Sequence, residues 1–255
     1  MSLSSHICAF LLCLVTPSIF ASPNFLLPPD HQSTYSVTAY GAPVGKMHNR
    51  LLSQDDTIHY TSEASATGLA TLLVSGSATE TSVLTWPDRN STTFPELQSY
   101  RFNYGKKQKK NQTIKFSRDE KGLYKIDGTY KNKTYSLTSE KKVWDRHMIP
   151  LLMSSDLQLD NDKSTGELYI SDKGSLQTYT YTLKKTENIK FQGQNLAVLK
   201  FMITKLNSKR MSYVWLSKTH YYLPLKVEQY KSDELQGGML LETIEFTKSK
   251  DLKND

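Results

Sequence analysis

Residues 211–228, MSYVWLSKTHYYLPLKVE, constrain the fold more than any other stretch of the chain. Met211, Tyr213 and Trp215 alternate with Ser212, Val214 and Leu216. Past residues 217–220, Leu223, Leu225 and Val227 alternate with Pro224, Lys226 and Glu228. A two-residue period puts each set on one face of a pleated sheet. The stretch is therefore a strand, a turn and a returning strand; a helix would need apolar residues recurring at three and four positions.

The same rhythm runs through most of the chain. Tyr35, Val37 and Ala39 begin it, a turn is expected at residues 41–45, and Met47, Asn49 and Leu51 continue on the far side. Further strands are expected at residues 58–62, 78–86 and 100–104, and a hairpin turn at Asp127-Gly128, a favoured turn pair. Residues 167–171, 178–183, 196–204, 223–229 and 239–246 supply the later ones. Long helical periods between strands are missing, which argues against parallel crossover units. The expected fold is mainly β: a strongly curved antiparallel meander, half-barrel or barrel-like.

Two short helical insertions interrupt it. Leu69, Leu72 and Leu73 fall at helical spacing in the first. In the second, residues 143–157, Trp144, Met148, Leu151 and Leu152 do so, and Pro150 belongs at the first turn of a helix. Both insertions are oilier than short surface helices need to be. They can plug the hollow of the sheet as core, or line a groove for an apolar ligand together with Met153 and Trp215, methionine suiting an irregular partner.

Residues 1–21 have the form of a signal peptide, with the apolar run ICAFLLCLV at 7–15 and Ala21 before a cut, although no Lys or Arg precedes the run. That run is too short to span a bilayer, so the chain is not expected to be transmembrane once the leader is removed. Residues 22–33, with Pro23, Pro28 and Pro29, are expected to be a linker or extended arm, residues 34–247 one β-rich domain, and residues 248–255 a charged tail. Both cysteines, Cys8 and Cys13, lie in the leader, so the mature chain has no disulfide and no thiolate chemistry. The net charge is +7. Lys106, Lys107, Lys109 and Lys110 crowd one hairpin tip, where they can meet an anionic surface or simply keep a turn solvated.

Chemistry is sparse. There is no Gly-x-Ser-x-Gly elbow and no glycine-rich phosphate loop, and the histidines outside the leader (His31, His48, His59, His147, His220) stand singly. No cofactor or metal is expected, and nucleic-acid binding fits the charge but not the leader. Asp145, Asp156 and Asp160 flank the second insertion, as helix caps and turn formers would.

Several features, taken in order, resemble one bacterial envelope family, the domain of unknown function 3108 family. They are Tyr35-x-Val with Gly41 and Gly45, the Gly68-Leu69 step, Phe102 and Tyr104 after Pro95, the 145–153 insertion, Gly193 before the 196–203 strand, and the closing Val214-Trp215-Leu216 and Tyr222-Leu223-Pro224-Leu225-Lys226-Val227-Glu228. The resemblance implies a periplasmic or outer-envelope protein with a curved antiparallel sheet. It brings no established activity and no catalytic residues. The architecture is also similar, at the level of fold alone, to periplasmic lipoprotein carriers in which a half-barrel holds acyl chains. The expected function is non-catalytic binding or carriage of an apolar ligand, a lipid or a lipidated or hydrophobic segment. The alternatives are an assembly protein that holds an envelope partner and, third, a polysaccharide hydrolase with a carboxylate pair.

Overall fold

A computed structural model describes residues 25–68, 71, 77–87, 94–105 and 110–247. In chain order the strands are β1 (His31–Ala39), β2 (Ala42–Gln54), β3 (Thr57–Ala66), β4 (Ala78–Thr85), β5 (Glu96–Tyr104), β6 (Gln112–Arg118), β7 (Tyr124–Tyr130), β8 (Lys133–Ser139) and β9 (Trp144–Asp145). A 3-10 turn (Arg146–Met148) and helix α1 (Ile149–Leu159) follow. The chain then returns to β10 (Thr165–Asp172), β11 (Ser175–Phe191), β12 (Gln194–Lys205), β13 (Arg210–Ser217), β14 (Leu223–Lys231) and β15 (Glu234–Phe246).

These strands form one 15-stranded sheet in the order β8-β7-β6-β5-β4-β3-β2-β1-β15-β14-β13-β12-β11-β10-β9. Every pairing is antiparallel except β9 with β10, which is parallel. The meander expected from the alternation is thus the fold, with one parallel edge pair that a two-residue strand could not announce. The first strand pairs with the last, and the two outer edges are β8 and β9, which are neighbours in sequence. The step from Ser139 to Trp144 spans at most about 19 Å at 3.8 Å per residue. The sheet must therefore curl until its edges nearly meet, although it does not close. Side chains cross the remaining gap: the ring of Tyr135 on β8 packs on Gly174 in the β10–β11 turn, where an added Cβ would lie 3.2 Å from it.

Two-residue turns with left-handed backbone, among them Tyr40-Gly41, Lys131-Asn132 and Gln192-Gly193, join neighbouring strands. This geometry matches the twist of the strands it connects. The turn expected at residues 41–45 is tighter, at Tyr40-Gly41, and the one expected at Asp127-Gly128 falls at Lys131-Asn132 instead. Gly45 and Gly128 lie inside β2 and β7 and serve close packing: a Cβ on Gly45 would sit 2.1 Å from the Ser65 carbonyl oxygen, and one on Gly128 2.5 Å from the Tyr135 ring.

The main core fills the inside of the curl. It joins Leu51, Ile58, Leu84, Ile170, Phe201 and Leu216 from the strands to Met148, Leu151, Met153 and Leu157 from the second insertion. Pro150 stands at the start of α1, as expected. The described part of the 22–33 arm differs from a linker. Phe25 is buried against Trp86 and Trp144, the Leu26 N–H donates to Ser155 Oγ at 2.9 Å, and residues 31–33 already belong to β1. Its apolar side chains cover one end of the core, which outweighs the prolines. The leader, the first insertion beyond Gly68 and Thr71, and the tail lie outside the described residues.

Candidate functional site

The structure separates the residues expected to line a groove. Trp144, Met148, Leu151, Leu152 and Met153 are all buried in the main core, at most 7% exposed. They fill the hollow and leave no surface for a ligand. Trp215 belongs to a second cluster with Tyr35, Phe191, Val198, Leu225 and Leu241, whereas its neighbours Val214 and Leu216 join the main one. The period of two sends it to the opposite face, where Lys200 and Lys226 lie over its ring and its indole N–H is held by Glu187. Leu69, Leu72, Leu73, Lys106, Lys107 and Lys109 lie outside the described residues. Lys110 is exposed, with its ammonium 4.6 Å from the Tyr104 ring centre.

An open cleft of about 680 Å³ remains inside the curl beside α1. Met47, Met211, Met239, Ile203, Val214 and Val227 supply its apolar wall, and Ile149 and Pro150 present the start of α1 to it. Each of these strand residues was visible as one step of an alternation. What the sequence could not show was that α1 stops short of them. The helix fills one end only, because Ser154 Oγ donates to the Tyr221 carbonyl at 2.6 Å and so ties it to the β13–β14 connection.

Polar groups occupy the wall next to the 3-10 turn. Arg146 donates from Nη2 to Glu80 Oε1 at 2.9 Å and from Nε to Tyr100 Oη at 3.0 Å, and its Nε lies 3.9 Å from Asp172 Oδ1. Tyr100 in turn donates to Glu80 Oε2 at 2.9 Å. One guanidinium thus engages both cleft carboxylates and bridges β4 and β5 to β10. Burial alone would lower its pKa, but Glu80, Tyr100 and Asp172 raise it further, so it stays charged.

Behind it runs a directed chain. Asp145 accepts from Ser82 Oγ at 2.8 Å and from the N–H groups of His147 and Met148, capping the 3-10 turn as the sequence suggested for this residue. Ser82 has one proton and spends it there, so its oxygen must accept from His147 Nδ1, 3.0 Å away. Nε2 then carries the lone pair, and Ser62 Oγ, 2.6 Å away, donates to it. Burial pushes the imidazole down to about 3, with the Arg146 charge adding to the effect. Burial also pushes Asp145 up to about 7, against the hydrogen bonds it accepts. His147 stacks on Tyr60 with ring centres 4.2 Å apart. The network fastens the turn to β3 and β4 with all its donors placed. A lone histidine in the sequence carries no sign of such partners, because Ser62 and Ser82 are 85 and 65 residues away.

Among the described residues, no group of three or more His, Cys, Asp or Glu is placed to hold a metal ion. No helix among them is long and apolar enough to cross a membrane.

Comparison with solved structures finds low-identity likenesses that span nearly the whole chain. A β-barrel-like protein of domain of unknown function DUF1849 from Brucella abortus is 10% identical, with 87% of this chain and 99% of that one covered and a TM-score of 0.47. A protein described as exported, with a YmcC-like fold, from Bacteroides fragilis is 12% identical, with 87% and 99% covered and a TM-score of 0.32. A protein described as a lipoprotein from Parabacteroides distasonis is 12% identical, with 88% and 100% covered and a TM-score of 0.31. No curated protein gives a significant match. A family model described as "Protein of unknown function (DUF3108)" matches residues 34–233, from β1 to the β14–β15 turn. The chain belongs to this DUF3108 family of proteins of unknown function.

Proposed function

We propose that the protein is a non-catalytic carrier or binding protein of the bacterial envelope, which holds an apolar molecule such as a lipid or lipidated segment in the cleft. The supporting observation is the cleft itself. Its volume of about 680 Å³ lies within the range of small-molecule sites, roughly 300–1,000 Å³. Three methionines in its wall, Met47, Met211 and Met239, can adapt to an irregular chain. This moves the ligand surface from the buried face of α1 to the strands beside it. The envelope address rests on the leader at residues 1–21 and on a remaining chain that has no cysteine.

Titration with a dansyl-labelled fatty acid tests the reading. Binding in the micromolar range is expected, with at least a tenfold loss in Val227→Trp, which fills the cleft from its strand wall. Organic extraction followed by mass spectrometry should release a co-purified lipid. A protein that extracts clean and leaves the probe's emission unchanged would overturn the proposal and favour the assembly role.

A further inference from the structure

The rim around the mouth of the cleft carries a combination that folding does not need. Two side chains stand out among the described residues: Tyr40 is 76% exposed and Leu206 75%, while the next large hydrophobics reach only 45%. Both sit on tight, well-held turns. The Tyr40 N–H donates to the Gln236 carbonyl at 3.2 Å, and Ser208 N–H to the Lys205 carbonyl at 3.2 Å. Both turns lie at one end of the sheet. Ala39 pairs with Gly237, Ser232 N–H donates to the Lys209 carbonyl at 2.9 Å, and Leu206 N–H to the Thr178 carbonyl. The turns after β1, β12 and β14 therefore follow one another around a single rim. The cleft opens there, because Lys205, Ser208, Arg210 and Gln236 line it.

The same rim is basic. Lys205, Lys209, Arg210 and Lys231 take part in no ion pair among the described residues, and Arg210 lies directly opposite Lys231 across β13 and β14. Like charges paired across strands cost stability, so an anion beyond the rim would relieve the Arg210–Lys231 juxtaposition, which Glu234 offsets from one side only. The rim's carboxylates, Asp233 and Glu234, are fewer, and Glu234 lies opposite Lys231.

We infer that this rim is a docking surface for an anionic lipid bilayer. Tyr40 and Leu206 enter the headgroup layer, the cations lie over lipid phosphates, and the cleft mouth faces the membrane. An aromatic and an aliphatic tip flanked by Lys and Arg is the chemistry of interfacial anchoring. An acidic protein would use the charges but would not need two separate exposed apolar tips on the same rim. The inference goes beyond the cleft reading and does not depend on it.

Co-sedimentation of the purified protein with vesicles tests it, comparing phosphatidylcholine alone with phosphatidylcholine carrying 30 mol% phosphatidylglycerol (about 30%, chosen so that several charges lie under the rim). Each cation near such a surface strengthens binding about fivefold. Binding to the anionic vesicles should exceed that to neutral ones at least tenfold and vanish in about 0.5 M salt. Lys209→Glu with Lys231→Glu should weaken it at least tenfold. Tyr40→Ser with Leu206→Ser should do likewise while leaving the salt dependence in place. None of these four residues lines the cleft, so the fatty-acid titration should be unchanged in both variants, which separates failure of the rim from failure of the cleft. Circular dichroism checks that the variants fold. Equal binding to both vesicle types, no binding, or full binding by the serine pair would overturn the inference; the last would mark a surface that reads charge alone.

Discussion

Replacing Arg146 by alanine probes a side chain that ties together both arms of the open sheet. The guanidinium joins Glu80 on β4 and Tyr100 on β5 to Asp172 on β10, and it packs over the Phe102 ring at 5.0 Å. Its removal leaves two carboxylates in one cleft without their shared counter-ion, and Tyr100, 1% exposed, without its acceptor relation to Arg146. Breaking a fully buried pair from one side costs about 3–5 kcal/mol, and breaking an exposed one about 0–1 kcal/mol. The Arg146 side chain is 30% exposed, Glu80 25% and Asp172 7%. The site lies nearer the buried limit, so we expect a loss of about 2–3 kcal/mol. Lys173, whose ammonium is 3.3 Å from Asp172, retains part of the compensation.

Urea unfolding monitored by tryptophan fluorescence measures this loss directly, because Trp144 adjoins the turn that carries Arg146. The informative control is the double variant Arg146→Ala with Glu80→Gln. A neutral amide needs no counter-ion, so the double variant should recover about 1 kcal/mol relative to Arg146→Ala alone. Glu80→Gln in the otherwise unchanged protein should instead be destabilising, since it strands the guanidinium. A loss below about 1 kcal/mol for Arg146→Ala, or no recovery in the double variant, would refute the view that this cation holds the sheet's arms together.

Three further outcomes follow from the geometry. Leu151→Ala, at a side chain with no exposure, should cost about 3 kcal/mol yet leave fatty-acid binding unchanged, because Leu151 does not line the cleft; unfolding and titration on one preparation decide this. Gly128→Ala drives a methyl into the Tyr135 ring and the Thr113 carbonyl and should cost about 1–3 kcal/mol, read from the same unfolding midpoint. The third concerns pH. His147, held down at about 3, withholds in the native state a proton that the unfolded chain binds below about 6.5, so its stabilisation fades as pH falls through that window. Asp145, pushed up to about 7, has the opposite sign: its stabilisation is present at low pH and lost as pH rises through 7. The two slopes offset each other in the wild type between about pH 4 and 6.5. Asp145→Asn should expose the histidine's slope, an extra loss of about 2 kcal/mol between pH 7.5 and 5; a variant curve parallel to the wild type would reject the pairing.

The fold was legible because alternation is local. Val214 and Leu216 announced a buried face wherever they stood, and Pro150 fixed the start of a helix by its own ring. Turn position was less legible. Asp127-Gly128 has turn chemistry, yet the pair is held in β7 because the Tyr135 ring and the Thr113 carbonyl need the space a side chain would take. The site was legible only in kind. Oily residues on the second insertion did mark the hollow of the sheet, but density of apolar side chains signals packing before it signals vacancy.

A vacancy is instead a property of where an element ends. The helix fills the curl up to Ile149 and Pro150, and the strands continue past it to Lys205, Arg210 and Gln236. The cleft is the length by which the strands outrun the helix, a difference between two elements far apart in sequence. The polar wall arises the same way. Arg146, Glu80 and Asp172 meet because a meander that starts in the middle of its own sheet must bring its two edges round to the same place. Each of these residues alone is an ordinary charge in an ordinary strand or turn. Their meeting follows from the strand order, and the strand order follows from which strands the turns allow to pair.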